Sequence, residues 1–307
     1  MTWDRVERLI GSDNLALLAR KKVAVIGLGS GGGFAALALA MSGVGSFVLI
    51  DDDVLETSNI MRHVADQRYL GQPKAAAVAD LIRQRNPNVH IDVKIERFTA
   101  GSDVLDGVDL VVSGIDNEPS KYILNQACLT HNITAVYAGV YERGEGGDIT
   151  IIQPYQTPCY ACWAAQLRDD TAPPKKGTEP QLDYGMIGKD GTLDAEPGLW
   201  LHVTRVAGAQ ADIALNELLH GTPIYKSLPG NTVILANSAL EILDGVINLP
   251  YTAVWATIER DPHCLVCGDG AQRMASSAFE TDENATISLD ELMHGAGLTL
   301  EDSQDQA

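Results

Sequence analysis

Two Cys-x-x-Cys pairs, Cys159-Tyr-Ala-Cys162 and Cys264-Leu-Val-Cys267, and one glycine-rich run, Gly27-Leu-Gly29-Ser30-Gly31-Gly32, are the segments of this chain with the plainest chemical meaning. Each cysteine pair offers two thiolates from one turn, so the four together match a closed, tetrahedral zinc site of the structural kind. Cys128, the fifth cysteine, sits in an apolar helical pattern and reads as a core residue. His263, beside Cys264, reads as a bystander and not as a further ligand.

The glycine run comes after a short apolar strand, Lys22–Ile26, and precedes an alanine-rich helical stretch to Met41. Glycines there allow a tight turn and let backbone amides at a helix N-terminus approach phosphates. Asp51 ends the next apolar run, Ser46–Ile50, where such folds put a carboxylate that accepts from ribose hydroxyls. These features alone suit a nicotinamide dinucleotide as well as ATP. The segment beyond Asp51 separates the two: Asp51-Asp-Asp53-Val-Leu-Glu-Thr-Ser58-Asn59-Ile-Met-Arg62 and then Gly71-Gln-Pro-Lys74. An arginine and a lysine beside the turn can neutralise a triphosphate, which is more highly charged than a pyrophosphate.

These groups need a scaffold, and the chain supplies alternating β and α patterns. Helices are expected at Lys74 to about Gln84 and Lys121 to His131, with strands at Val89–Ile95, Asp109–Ser113 and Ile133–Ala138. That alternation makes an α/β, doubly wound, Rossmann-like sheet, mostly parallel. After Gly139 the glycines at 144, 146 and 147 and the run Asp148–Ile152 start a more antiparallel section. It continues through a helix from about Leu199 to Leu219 and strands at Thr232–Leu235 and Ala253–Ile258. Residues 168–197 hold four prolines and little periodicity, as a long crossing loop would. From Gly270 onward eight acidic residues stand against one arginine, which predicts a flexible acidic tail, with a short capped helix possible only near Ser288-Leu-Asp-Glu291.

Over 307 residues the formal net charge is −19, which opposes nucleic-acid and anionic-membrane partners. No apolar stretch reaches membrane-spanning length and the N-terminus lacks a secretory core, so a cytoplasmic location is expected.

The set Gly27-Leu-Gly29-Ser30-Gly31-Gly32, Asp51-x-Asp53-x-x-x-x-Ser58-Asn59-x-x-Arg62, Gly71-Gln-Pro-Lys74, Gly114-Ile-Asp116-Asn117 and the two cysteine pairs resembles the ubiquitin-activating-enzyme-like adenylyltransferases of ThiF/MoeB type. The resemblance covers about residues 5–268. It implies one adenylation domain over 1–268: a nucleotide-binding part at about 20–140, then a zinc-bearing, carrier-binding part at about 141–268. Residues 269–307 are left as the tail.

By that resemblance Gly29 and its neighbours line the adenosine and phosphates, and Asp51 holds the ribose. Asn59, Arg62 and Lys74 then contact the triphosphate, with Asp53 and Asn117 alongside, and Asp116 positions Mg²⁺. Arg8, in Arg5-Val-Glu-Arg8-Leu-Ile10, resembles a finger that reaches into the partner subunit of a homodimer. The implied activity is ATP-dependent adenylation of the C-terminal carboxylate of a ubiquitin-like or sulfur-carrier protein ending in a flexible glycine.

Relatives that form a thioester place a cysteine in or after the crossing loop; here no cysteine lies between Cys162 and Cys264, and Leu193 or Asp194 falls at that place. Two versions stay open: release of the acyl-adenylate, or transfer to a loop hydroxyl (Thr171, Thr178 or Thr192) or to a conjugating enzyme recruited by the loop and tail. An NAD-dependent oxidoreductase and a nucleotide-binding pseudoenzyme scaffold are the rivals from other classes.

Overall fold

The computed structural model describes residues 3–101, 103–167, 198–243 and 246–270. In chain order the elements are α1 (Asp4–Ile10), α2 (Ser12–Leu18), β1 (Lys22–Ile26), α3 (Ser30–Met41), β2 (Ser46–Ile50), α4 (Lys74–Arg85), β3 (His90–Lys94), β4 (Leu110–Ser113) and α5 (Glu118–Thr130). Then come β5 (Ala135–Val140), β6 (Gly146–Ile152), α6 (Tyr160–Leu167), α7 (Trp200–Leu218), β7 (Thr232–Ala236), β8 (Leu240–Leu243), β9 (Val246–Asn248) and β10 (Ala253–Ala256). The crossing loop, its three threonines, the acidic tail and the segment at Ser288 lie outside the described residues.

Eight strands form one sheet in the order β10-β7-β6-β5-β4-β1-β2-β3. β3, β2, β1, β4 and β5 run parallel, and β6, β7 and β10 add on antiparallel. This is the Rossmann-like sheet with an antiparallel extension that the sequence predicts. β1 lies between β2 and β4, so the chain leaves β1 in both directions and a crevice opens beyond its C-terminal end.

Both faces of the sheet are covered, and the strands read accordingly: the last four residues of β1 and of β2 are buried, as is all of β6. One face packs Val23, Val25, Phe47 and Leu49 against α3, α4 and α7. The other packs Ala24, Ile26, Val111 and Tyr137 against Leu124, Tyr160 and Trp163 of α5 and α6. α3 holds small residues because it lies close to α7: a β-carbon on Gly31 would stand 3.7 Å from both Ala207 and Val203.

Boundaries shift by a few residues for visible reasons. The helix expected from Lys121 begins at Glu118, because the Asn117 side chain accepts from the Ser120 N–H and caps the turn, with Pro119 in the first turn. β4 begins at Leu110 because Asp109 turns outward, its carboxylate accepting from the Lys22 N–H at 2.8 Å and from Lys21 Nζ at 2.8 Å. Helices α1, α2 and α6 and the β8–β9 hairpin carry too little periodicity to have been anticipated. Cys128 is buried in α5 as expected, and burial pushes its thiol up to about 12. No described helix is long and apolar enough to cross a membrane.

Candidate functional site

A cleft of about 950 Å³ runs across the C-terminal ends of β2, β1, β4 and β5, closed on its far side by α7. Because those strands are neighbours in that order, each contributes a different stretch of wall. β2 and β5 are three strand spacings apart, roughly 14 Å at about 4.8 Å per step.

The glycine turn after β1 forms the floor. Gly27 has φ +85°, a left-handed backbone that favours glycine, and a β-carbon there would lie 2.8 Å from the Gly114 backbone. Gly29, Ser30, Gly31 and Gly32 line the cleft at the N-terminus of α3, where the helix dipole and free N–H groups favour an anion. Gly27 sits behind them as the hinge of the turn.

The β2 wall holds the cations. Lys74 Nζ stands 2.7 Å from Asp53 Oδ2, and both line the cleft with Glu56, Asn59 and Arg62. The Asn59 amide oxygen accepts from the Glu56 N–H at 3.0 Å, which holds the 3-10 turn Thr57–Arg62 that carries Arg62. Asp51 is not itself a lining residue. Its carboxylate accepts from the Leu28 N–H at 2.6 Å and the Asp53 N–H at 2.8 Å, so it clamps the glycine turn to the β2 end. Burial pushes the Asp51 carboxyl up, against the pull of those two N–H bonds.

Asp116 lines the cleft just beyond β4, and Asn117 is set aside as the cap of α5. Arg8 is on the outer surface, with 78% of its side chain exposed and an ion pair to Asp4 at 3.0 Å, away from its own cleft.

Among the lining residues that the sequence reading did not name for the site, four carry buried polar groups of note. His63 is buried; its Nε2–H donates to the Leu28 carbonyl at 2.7 Å and its Nδ1 accepts from the Ala65 N–H at 3.0 Å. That fixes the neutral tautomer, and burial pushes the imidazole down. Gln210 of α7 is buried and donates from Nε2 to the carbonyls of Ser113 (2.8 Å) and Val136 (2.9 Å), bridging β4 and β5. His202, in the first turn of α7, lies against Gly144 with its Nδ1 buried and, among the described residues, without a hydrogen-bond partner. Lys121 of α5 is nearly inaccessible yet also lines the cleft. Only Lys121 left a trace in the sequence, as a Glu118/Lys121 pair one helical turn apart, a spacing indistinguishable from a solvated face.

The cysteines come together as expected. Sγ–Sγ distances are 3.9 Å for Cys159–Cys162, 3.8 Å for Cys159–Cys264 and 3.5 Å for Cys162–Cys267, and all four sulfurs lie within 4.8 Å of one another. A tetrahedron with zinc–sulfur bonds of about 2.3 Å has edges of about 3.8 Å, so the cluster fits zinc. Hydrogen bonding from the Cys159 thiol pushes Cys267 down, in the direction that favours the thiolate a cation takes over. His263 is exposed and lies outside the cluster.

A Rossmann-like sheet, a glycine turn at a helix N-terminus and paired cations beside it define a protein that binds nucleotides through their phosphates. The model of the ThiF family matches residues 4–250, and the chain belongs to that family. It is 31% identical over 291 residues to the SAMP-activating enzyme E1 of Haloferax volcanii, covering 92% of each chain. It is also 31% identical over 201 residues to the sulfur carrier protein ThiS adenylyltransferase of Escherichia coli, covering 62% of this chain and 78% of that one. Longer relatives are matched over 36% to 51% of their own length. The crystal structure of E. coli MccB with ATP superposes with a TM-score of 0.58 at 19% identity, over 83% of this chain and 68% of that one, a likeness of fold.

Proposed function

We propose that this chain uses ATP to adenylate the C-terminal carboxylate of a small ubiquitin-like or sulfur-carrier protein and releases pyrophosphate. The observation that carries this reading is one cleft holding the amide-rich glycine turn, Arg62, Lys74 and Asp116, in a chain matched over 92% of its length by a SAMP-activating enzyme E1.

Arg62 and Lys74 grip the triphosphate at the β2 wall, with Asn59 and Asp53 beside them, while Gly29–Gly32 present N–H groups to the phosphates. Asp51 has acceptor capacity for a ribose hydroxyl beyond its two N–H bonds, since a carboxylate offers about four lone-pair sites. Mg²⁺ keeps most of its water and phosphate oxygens and needs one or two carboxylates, so Asp116 suits it as the protein's ligand. When bound it supplies charge neutralisation at the polyphosphate.

The reaction asks for positioning more than proton transfer. A carboxylate oxygen attacks the α-phosphorus in line, the bond from that phosphorus to the bridging oxygen breaks, and pyrophosphate leaves with the electron pair. The side chains hold the oxyanions and exclude water.

Exposure of Arg8, on a helix with no buried residue and next to Leu9 at 83% exposure, supports its use by a second copy of the chain. The absence of cysteine from 163 to 263 supports release of the acyl-adenylate to a separate acceptor. Five cysteines, none of them in a disulfide, fit a reducing compartment such as the cytoplasm. The domain we assign spans 1–268, its two parts meeting at about residue 140.

The test is pyrophosphate exchange by purified protein with candidate carriers. Exchange that requires the carrier's terminal carboxylate supports the reading, and tight uptake of NAD with none of ATP and magnesium ends it. Mixing Arg8→Ala with Asp116→Ala subunits should restore part of the activity, because one mixed site is then whole.

A further inference from the structure

Charge is distributed unevenly around the cleft. Arg62 and Lys74 both belong to the β2 wall, whereas the walls from β4, β5 and α7 carry Asp116, Glu118 and Glu142, with Lys121 as the one cation among their described lining residues. A carboxylate that attacks the α-phosphate brings a further negative charge into the cleft, beyond that of the triphosphate that Arg62 and Lys74 grip. Something there must meet it.

Lys121 has the required attributes. Only 5% of its side chain is accessible, so its charge is poorly shared with water and acts strongly on a neighbouring oxyanion. Among the described residues its ammonium has a single hydrogen-bond partner, Glu118 Oε1 at 3.3 Å, and an ammonium has three donors. Two donors are left on a residue that lines the cleft five positions beyond Asp116.

Glu118 is itself oriented from outside the nucleotide-binding half. The Tyr160 hydroxyl donates to Glu118, 2.9 Å from Oε2 and 3.1 Å from Oε1. Lys121 Nζ also lies 5.8 Å from the centre of the Tyr160 ring, a cation–π distance. Tyr160 is fully buried, stacked between Tyr137 (5.0 Å) and Trp163 (5.4 Å), with its N–H donating to Asn125 Oδ1 at 2.9 Å. It stands between Cys159 and Cys162 at the start of α6, so the helix that opens at the cysteine cluster sets the ring.

We propose that Lys121 is a further catalytic residue, the cation that holds the reacting carboxylate and α-phosphate oxygens on the β4 side. Tyr160 is its positioning residue, through which the cysteine cluster becomes part of the active site and not a remote staple. The inference rests on the adenylation reading. Bond making and breaking are unchanged, and Lys121 transfers no proton.

The test uses full-length, zinc-loaded protein with Lys121→Met, Lys121→Arg, Tyr160→Phe and the double variant Lys121→Met/Tyr160→Phe. Pyrophosphate exchange is measured with calorimetric binding of 5′-O-(glycylsulfamoyl)adenosine, a stable mimic of a glycyl-adenylate, and with zinc content and thermal midpoint as structural controls. Lys121→Met should lower exchange about 100-fold, the scale of one lost oxyanion donor, and weaken the mimic, with Lys121→Arg recovering part of both. Tyr160→Phe keeps the ring and should lower exchange about fivefold at unchanged zinc content, and the double variant should be no worse than Lys121→Met. Wild type that binds the mimic, with Lys121→Met binding and exchanging equally well, overturns the role of Lys121. Additive losses in the double variant overturn the link through Tyr160. Wild-type protein that ignores the mimic and exchanges with no carrier overturns the adenylation reading, and the catalytic role of Lys121 with it.

Discussion

The two flanks of the cleft are assembled by different means. On the β1–β2 flank the polar contacts join segments close in sequence: Asp51 to Leu28 and Asp53, Glu56 to Asn59, Asp53 to Lys74. On the α5–α6 flank they join remote segments: Glu118 to Tyr160, Gln210 to Ser113 and Val136, and Cys159 and Cys162 to Cys264 and Cys267 over 105 residues. The first flank can form as soon as β1 and β2 pair. The second depends on a cross-link from near the end of the described chain, so disturbances far from the phosphates should register there first.

The largest effect lies where the flanks meet. Asp116→Ala should lower pyrophosphate exchange by about 10³-fold while leaving the thermal midpoint nearly unchanged, because an exposed wall carboxylate supports little of the fold. Exchange at the wild-type rate would remove Asp116 from the site. Cys162→Ser comes next. Losing a ligand from a buried cluster should release zinc and lower the thermal midpoint by roughly 10 °C. If the flanks are as separable as their contacts suggest, ATP affinity should fall far less than exchange. Equal losses in both would show one cooperative unit.

Gln210→Ala should be intermediate. Only two residue pairs register β4 against β5, and the Gln210 amide spans the gap by donating to a carbonyl on each strand. Leaving those carbonyls unmet should cost about 2–3 kcal/mol, read as a lower urea midpoint at constant slope. A shift under about 0.5 kcal/mol would mean that water replaces the amide, within the usual scatter of surface substitutions.

Legibility in the sequence divides along the same line. Strand β1, the glycine turn, Asp51 and the cations at 62 and 74 lie in one short stretch whose apolar and glycine spacing states the local fold. The cysteine pairs were equally legible despite their separation, because Cys-x-x-Cys spacing has few other uses. Lys121, His63, His202 and Gln210 were not. Each is a single polar residue in a helix or turn, and only the packing of distant segments brings it to the cleft. The same reasoning hid α1 and α2, of whose residues only Leu18 is buried. Asn117 was legible as part of a motif, but its use as a helix cap was not.

The smallest effect tests how tightly the first flank is built. His63 accepts from the Ala65 N–H through Nδ1, so protonating that nitrogen would set two N–H groups against each other, and burial already pushes the ring down. The unfolded chain takes up a proton near the ordinary histidine value of about 6.5, while the folded chain resists until lower pH. In that window the unfolded state binds more protons, so stability rises with pH and falls on acidification below about 6.5. Replacing the ring with an uncharged amide, His63→Gln, removes this proton linkage whatever it does to absolute stability. Urea midpoints taken from pH 5 to pH 7 should therefore show a shallower slope against pH in the variant. Parallel slopes would mean that another group sets the acid limit and that the His63 bridge between the glycine turn and the Arg62 segment tolerates the charged ring. The first flank would then be looser than its short hydrogen bonds imply.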